Sequence, residues 1–454
     1  MTDPTASRVA TAERSEPGSA MRASAPGRSR FFALLAVIAV AACALRVGYV
    51  LTVTHHDHKF YDAAYYELQA ERLADGHGYT DPFLAINDPH AKPSPSADHP
   101  PMTVLVLTPV AWAFGHHDLP MRFEMVLLGT ATVVLLGLLG RVLAGEAGGL
   151  TATGIAAVYP GLWANDGLIM SETICALAVT LALLFTYRLV RRPSWGRAAA
   201  VGVMCGVAAL TRAELLLLAP LLAVWFLFTR HIERRALRVT AALVTVVAAA
   251  VTIAPWFVYN QTRFTNTVIM STNDGIAMLG SNCDAVYHGH AIGLTNLTEC
   301  IPTKAPPGDQ SVASREYVKR SFRYMGHHKA QAAVVVAARI GRDWSVFRPQ
   351  DMVKFNAGEG RPAWVTIAAL VFYYPLLVAA VAGVLVLARR KQAWWPLVAP
   401  AVVVVASAVL SYGQTRFRIS AEPSIVVLAA VAVVAWVRGR SVTSRPHVTA
   451  DTTV

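Results

Sequence analysis

The sequence predicts an all-α integral membrane protein with about ten transmembrane helices and surface-lying helices in its first outer loop. Three observations predict it. Of 454 residues, 55% are hydrophobic and only 15% charged, whereas soluble chains carry about 25% charged residues. The apolar residues are bunched into runs of roughly 18–25, the length that spans a bilayer core as a helix. Arginines gather in the short loops between those runs, as cytoplasmic loops do. Helix is the form such runs must take, because lipid offers no partner to an unpaired backbone group.

Residues 1–29 are rich in Ser, Ala, Pro, Thr, Arg and Glu without apolar period, which reads as a disordered cytoplasmic tail. A first span covers 31–53. It is too long and too far from the start for a secretory signal, and Arg22, Arg28 and Arg30 beside it hold the N-terminus inside. The polar stretch that follows therefore lies outside.

The run 101–115 decides the topology. It is short, opens with Pro100 and Pro101, and is followed by His116, His117 and Asp118. If it crossed, Arg188, Arg191, Arg192 and Arg197 would fall outside. Laid in or dipped into the outer interface, it completes a first outer loop over 54–119. Spans at 120–141, 148–166, 168–188, 196–211, 214–229 and 237–257 then keep Arg141, that cluster, Arg230, Arg234, Arg235 and Arg238 inside. A second outer loop over 258–362 follows. Spans at 363–388, 394–411 and 421–437 place Arg389, Arg390, Lys391, Arg438 and Arg440 inside, ahead of a cytoplasmic tail at 441–454. The membrane domain is 30–440. The chain is read as multi-pass in the plasma (inner) membrane, and its net charge of +12 as orientation rather than nucleic-acid binding.

On the outer side this topology collects Asp62, Glu67, His99, Arg122, Asp166, Glu172, Arg212, Glu214, Arg416, Arg418 and Glu422. Ionisable groups that flank apolar runs are costly and usually functional. Arginine forks suit phosphate oxygens, so several arginines on one face point to an anion site. For single residues the bland readings stand beside this one: Arg212 with Glu214 as a structural ion pair, Arg122 as an interfacial snorkeller. Residues 60–79 have helical spacing and stop at Gly76 and Gly78. One face holds Tyr61, Tyr65, Leu68 and Arg72, the other Asp62, Tyr66 and Gln69. Asp62 is then either a first-turn acid or a general base held at the interface.

Other clusters carry less. His55, His56, Asp57 and His58 read as a solvated loop, since adjacent histidines cannot all face one ion. No histidine stands at a useful spacing from Ser171 for a serine nucleophile. Cys43, Cys175 and Cys205 sit in apolar runs as small hydrophobes. Cys283 and Cys300 in the second outer loop are either bridged or free thiols.

Four segments carry a resemblance: Tyr61-Asp62-Ala63-Ala64-Tyr65-Tyr66 with 73–79; His99-Pro100-Pro101-Met102 followed by Met121-Arg122; Ser171-Glu172-Thr173 with Leu210-Thr211-Arg212-Ala213-Glu214; and Tyr412-Gly413-Gln414-Thr415-Arg416-Phe417-Arg418 before Glu422-Pro423. In this order the chain resembles the GT-C membrane glycosyltransferases, the superfamily of the protein O-mannosyltransferases and the aminoarabinose transferase of lipid A. The resemblance covers about 30–440. It implies a polyprenyl-phosphate-linked sugar donor, an acceptor hydroxyl on a glycan, lipid or protein, and inverting transfer at the extracytoplasmic face.

Carried over, Asp62 matches the catalytic carboxylate, while Arg122, Arg212, Arg416 and Arg418 fall where donor-phosphate or sugar contacts are expected. Tyr66, His99, Glu172 and Glu214 complete the expected substrate-binding set. The chain departs from these relatives in having Ala63 where the O-mannosyltransferases carry a second acid, and His99 where the aminoarabinose transferases place a lysine. No metal-ligand set is legible, and a divalent cation is left open. The rival reading from another class is a lipid-linked sugar flippase or transporter, which predicts charges at mid-membrane depth and paired discontinuous helices.

Overall fold

The computed structural model describes residues 26–56, 62–88, 90 and 92–443. Among them there is no strand beyond one isolated bridge, Thr80 to Pro95. The expected tail residues 1–25, Asp57 to Tyr61 and the C-terminal 444–454 lie outside the described residues.

Helix α1 covers Pro26–Thr52. It starts five residues before the expected span, since proline is well suited to a first helical turn. Helix α2 covers Asp62–Ala74 and stops as expected, with Gly76 and Gly78 at positive φ. Its buried residues are Tyr65, Tyr66, Glu67, Gln69 and Ala70, so both tyrosines face the protein instead of dividing between two faces. Helix α3, Met102–Phe114, is the short run that settled the topology. It buries Thr103, Val104, Leu107 and Ala111 and turns Leu105, Trp112 and Phe114 outward, the two-sided character of an interfacial helix.

Helix α4, Asp118–Val158, is a folded pair. At Gly145 the backbone leaves the helical region with φ +76°, and the chain doubles back. The halves approach so closely that a side chain on Gly140 would strike the Gly148 carbonyl, and one on Gly149 the Gly137 carbonyl. Small residues let membrane helices approach in this way. Helices α5 (Ser171–Arg191), α6 (Trp195–Thr211), α7 (Leu218–Phe228) and α8 (Arg235–Gln261) follow. Gly202 and Gly206 of α6 lie directly against α8 at Thr245, Ala249 and Thr252.

The lobe after α8 carries α9 (Asp274–Gly280), α10 (Gln310–His327) and α11 (Lys329–Asp343). Cys283 and Cys300 are joined there as a disulfide. Three apolar helices close the chain: α12 (Ala363–Arg389), α13 (Trp395–Leu410) and α14 (Glu422–Thr443).

By length and composition six helices qualify as membrane spans: α1, α4, α5, α8, α12 and α14. Of the ten spans expected, two are the halves of α4, and three are the shorter helices α6, 213–228 and α13. One large apolar core joins α1 with α4 to α8 and α12 to α14. A second core packs Tyr65, Tyr66 and Tyr79 with Val104, Leu107, Met121, Ile174 and Trp256, and so seats α2 and α3 on one end of the bundle.

Candidate active site

That end of the bundle is where helix termini alternate: the starts of α5, α12 and α14, the ends of α6 and α13. Each interruption leaves one polar side chain facing the same place. Asp62 is the first residue of α2, and His99 lies just before α3. Glu172 is in the first turn of α5. Arg212 is extended at the end of α6, and a 3₁₀ turn, Ala213–Leu217, carries Glu214. Arg416 sits in a second 3₁₀ turn, Thr415–Ser420, between α13 and α14.

Arg416 is the centre of the charge network. Its Nη2 forms an ion pair with Asp62 Oδ2 at 2.8 Å, its Nε donates to Glu172 Oε1 at 2.8 Å and its Nη1 to Glu359 Oε1 at 3.1 Å. Glu172 Oε1 also lies 3.5 Å from both Arg212 Nη1 and Arg361 Nη2, and its side chain is only 1% exposed. Arg212 Nε pairs with Glu214 Oε1 at 2.6 Å, and Arg361 Nη1 with Glu359 Oε2 at 2.8 Å. His99 Nε2 lies 3.4 Å from Asp62 Oδ1 and 3.5 Å from Asp98 Oδ2. The Tyr66 ring lies against the imidazole, centroids 5.0 Å apart.

These pairings decide protonation. Burial works to raise the Asp62 carboxyl, but Arg416 and then His99 outweigh it and hold Asp62 well below the usual carboxylate range. Burial lowers the affinity of His99 for its proton, yet Asp62 and Asp98 carry the imidazole above its ordinary value. Across the cavity the carboxyl of Asp274 is pushed up to about 6 by burial, with Glu214 adding to it.

A cavity of about 460 Å³ opens on this network, lined by Asp62, Tyr66, His99, Arg212, Glu214 and Arg416 among others, with Asp274 and Tyr412 on its walls. Glu172 stands just behind, holding the arginines. Seven of the nine residues singled out from sequence thus meet at one place.

Arg122 and Arg418 do not line this cavity. Arg122 donates to Asp118 Oδ2 at 3.1 Å and to the Gly167 carbonyl at 2.7 Å, fastening the start of α4 to the loop before α5. Arg418 donates to Glu422 at 2.6 Å and to Ser345 Oγ at 2.9 Å, and packs over the Tyr373 ring. Asp166, from the same outer set, is bound by Arg46 of α1 at 2.6 Å and by Thr173 at 2.8 Å.

Sequence reasoning missed Arg46, Glu359 and Arg361. For Glu359 and Arg361 the signal was present, since both stand just before an apolar run as Glu172 does. The divalent cation left open by the sequence finds no ready ligands: among the described residues no group of three His, Cys, Asp or Glu is placed to hold a metal. His58 and Asp57 lie outside the described residues.

Residues 98–259 match the family described as dolichyl-phosphate-mannose-protein mannosyltransferase. The fold is similar to that of the oligosaccharyltransferase of Archaeoglobus fulgidus tethered to an acceptor peptide containing the NVT sequon. Identity is 14%, covering 92% of this chain and 50% of that one, with a TM-score of 0.57. The same enzyme in complex with Zn and sulfate gives 13%, 90%, 49% and 0.52. ArnT from Cupriavidus metallidurans bound to undecaprenyl phosphate aligns at 15% identity over 91% of this chain and 80% of that one, with a TM-score of 0.37.

No curated protein sequence matches. The chain spans about half the length of the oligosaccharyltransferase. The fold is that of the GT-C glycosyltransferases, as the sequence led one to expect, and the family match supports a membrane glycosyltransferase.

Proposed function

We propose that this protein transfers a sugar from a polyprenyl-phosphate-linked donor to an acceptor hydroxyl at the extracytoplasmic membrane face, with inversion. One observation carries the reading. The polar cavity shares Leu217 and Ala406 with an apolar groove of about 370 Å³ between α7 and α13, lined also by Leu221, Val224, Trp225, Phe228, Trp395 and Val402. A charged cavity opening into an oily groove suits one molecule with an anionic head and a long apolar tail. The matched family is named for a dolichyl-phosphate-linked mannose and a protein acceptor, which supports the same donor class.

In this mechanism the donor phosphate lies against Arg212 and Arg416. Arg212 Nη2 makes no hydrogen bond among the described residues and is the first donor open to an entering phosphate. Asp62 removes the proton of the acceptor hydroxyl as its oxygen attacks the anomeric carbon. The bond from that carbon to the phosphate oxygen breaks on the opposite face, and polyprenyl phosphate leaves as an anion stabilised by the guanidinium groups. Tyr66 and His99 border the sugar, and the lobe bearing Asp274 borders the acceptor.

Replacing Asp62 by Asn tests the assignment: transfer from a radiolabelled polyprenyl-phosphate sugar in proteoliposomes should fall at least about a hundredfold, the low end for a general base. Wild-type transfer by the variant would refute the base. Movement of the labelled lipid between leaflets with no transfer by the wild-type protein would favour the flippase reading instead.

A further inference from the structure

The arginine at the centre of the network has no nitrogen without a carboxylate beside it. All three nitrogens of Arg416 are engaged, by Asp62, Glu172 and Glu359. Of these three carboxylates, Asp62 is the most exposed, at 24% against 18% for Glu359 and 1% for Glu172. It is also the one that lines the cavity with Arg416, whereas Glu172 and Glu359 do not line it. An anion entering the cavity therefore meets a guanidinium whose accessible arm is held by the base itself.

We propose that the donor phosphate takes the Nη2 arm of Arg416 from Asp62, so that seating the donor and freeing the base are one event. This inference rests on the lipid-phosphate reading above.

Charge counting supports exchange over simple addition. Arg212, Arg361 and Arg416 face Asp62, Glu172, Glu214 and Glu359, so the network is already anionic before His99 is counted. A further phosphate charge placed among buried carboxylates is costly unless one of them gives up its cation. Asp62 is the carboxylate with somewhere to go: it begins its helix, borders the cavity and has His99 3.4 Å away as a second partner. Without the guanidinium the carboxylate binds a proton more readily. A base muted in the empty site thus becomes competent when donor is present, and the site is kept from activating an acceptor with no sugar to receive it.

The experiment is binding of undecaprenyl phosphate to the purified full chain in nanodiscs, for wild type, Asp62→Asn, Arg416→Gln and the double variant, with thermal unfolding of each as a check on folding. Removing the competing anion should tighten Asp62→Asn by at least about fivefold, the low end of ordinary coupling between two ligands. In the Arg416→Gln background the same change should give no gain, because nothing is left to share. Asp62→Ala, which also removes the charge, should behave as Asp62→Asn and stands in for it should that variant unfold.

Equal or weaker binding by a folded Asp62→Asn variant overturns the shared fork and leaves the functional reading standing. A gain that persists without Arg416 overturns it too, as a mere change of net charge. Failure of every form, wild type included, to bind undecaprenyl phosphate sinks the lipid-phosphate reading and this inference with it.

Discussion

Glu172 is the residue whose loss the structure prices most clearly. Its Oε1 faces three guanidinium groups: Arg416 at 2.8 Å, and Arg212 and Arg361 at 3.5 Å each. Glu172→Gln keeps the shape and removes the charge. Breaking a buried ion pair by deleting one partner costs about 3–5 kcal/mol. Each arginine here keeps a second carboxylate, Glu214 for Arg212 and Glu359 for Arg361 and Arg416, so the low end applies: about 3 kcal/mol, or more than a hundredfold in an equilibrium constant. Thermal unfolding in detergent should therefore fall by several degrees, and transfer should fall further than stability explains, because Arg212 and Arg416 lose their common anchor. Glu172→Asp, which restores the charge at shorter reach, should lie between the two. A Glu172→Gln protein that unfolds at the wild-type temperature and transfers at the wild-type rate would show that the arginines are positioned by something else.

Three other outcomes are expected. His99 is held above its ordinary value because Asp62 and Asp98 outweigh burial; a raised value means that the folded chain holds the proton more tightly, so the stabilisation is whole below about pH 6.5 and is lost as pH rises through the folded value. Unfolding temperatures read upward from pH 6.5 should decline more steeply for wild type than for His99→Gln, and parallel curves would refute it. Ala406→Trp, at the junction of cavity and groove, should raise KM for a long-chain donor while a donor with a two-isoprene tail is used as before; equal effects on both would count against the groove as the tail's path. Arg418→Gln breaks the buried pair with Glu422 and should destabilise by about 3 kcal/mol without changing donor KM, whereas a changed KM in a stable protein would return Arg418 to the site.

The helices were legible because a bilayer imposes long apolar runs, and the site because charge near such runs is expensive. Asp62, His99, Glu172, Arg212, Glu214 and Arg416 all stand at helix ends, where the apolar pattern stops. What sequence could not separate is Arg416 from Arg418. Two residues apart, they look equivalent, yet neighbours at that spacing on a helical turn do not share a face: one enters the cavity, the other turns back to Glu422. Arg122 misled for a related reason, since position at a helix end does not tell a residue that meets substrate from one that ties a loop. Glu359 and Arg361 stand just before an apolar run as Glu172 does, but at the end of a long loop whose other charges obscure that signal. Arg46 was hidden oppositely, inside a span whose uniform apolarity drew attention away from one arginine. The folding of α4 at Gly145 was expected as two spans, but the close glycine contacts that permit it are a property of three dimensions.

The surplus of arginine that pointed to an anion site carries a different meaning once the partners are known. Each guanidinium of the charge network is paired with a carboxylate, because an unpaired buried cation is costly to keep. Arginine residues in a sequence therefore report the total cationic charge of a site, and only their unpaired donors report its capacity for a new anion. Here that capacity is one free arm on Arg212 and one arm of Arg416 held by the least buried carboxylate in the network. At Arg416, in the proposed reading, an anion joins by exchange. The group it displaces is the one carboxylate whose proton affinity the proposed chemistry needs to rise, so the pairing that stabilises the empty site also makes its reactivity depend on the donor.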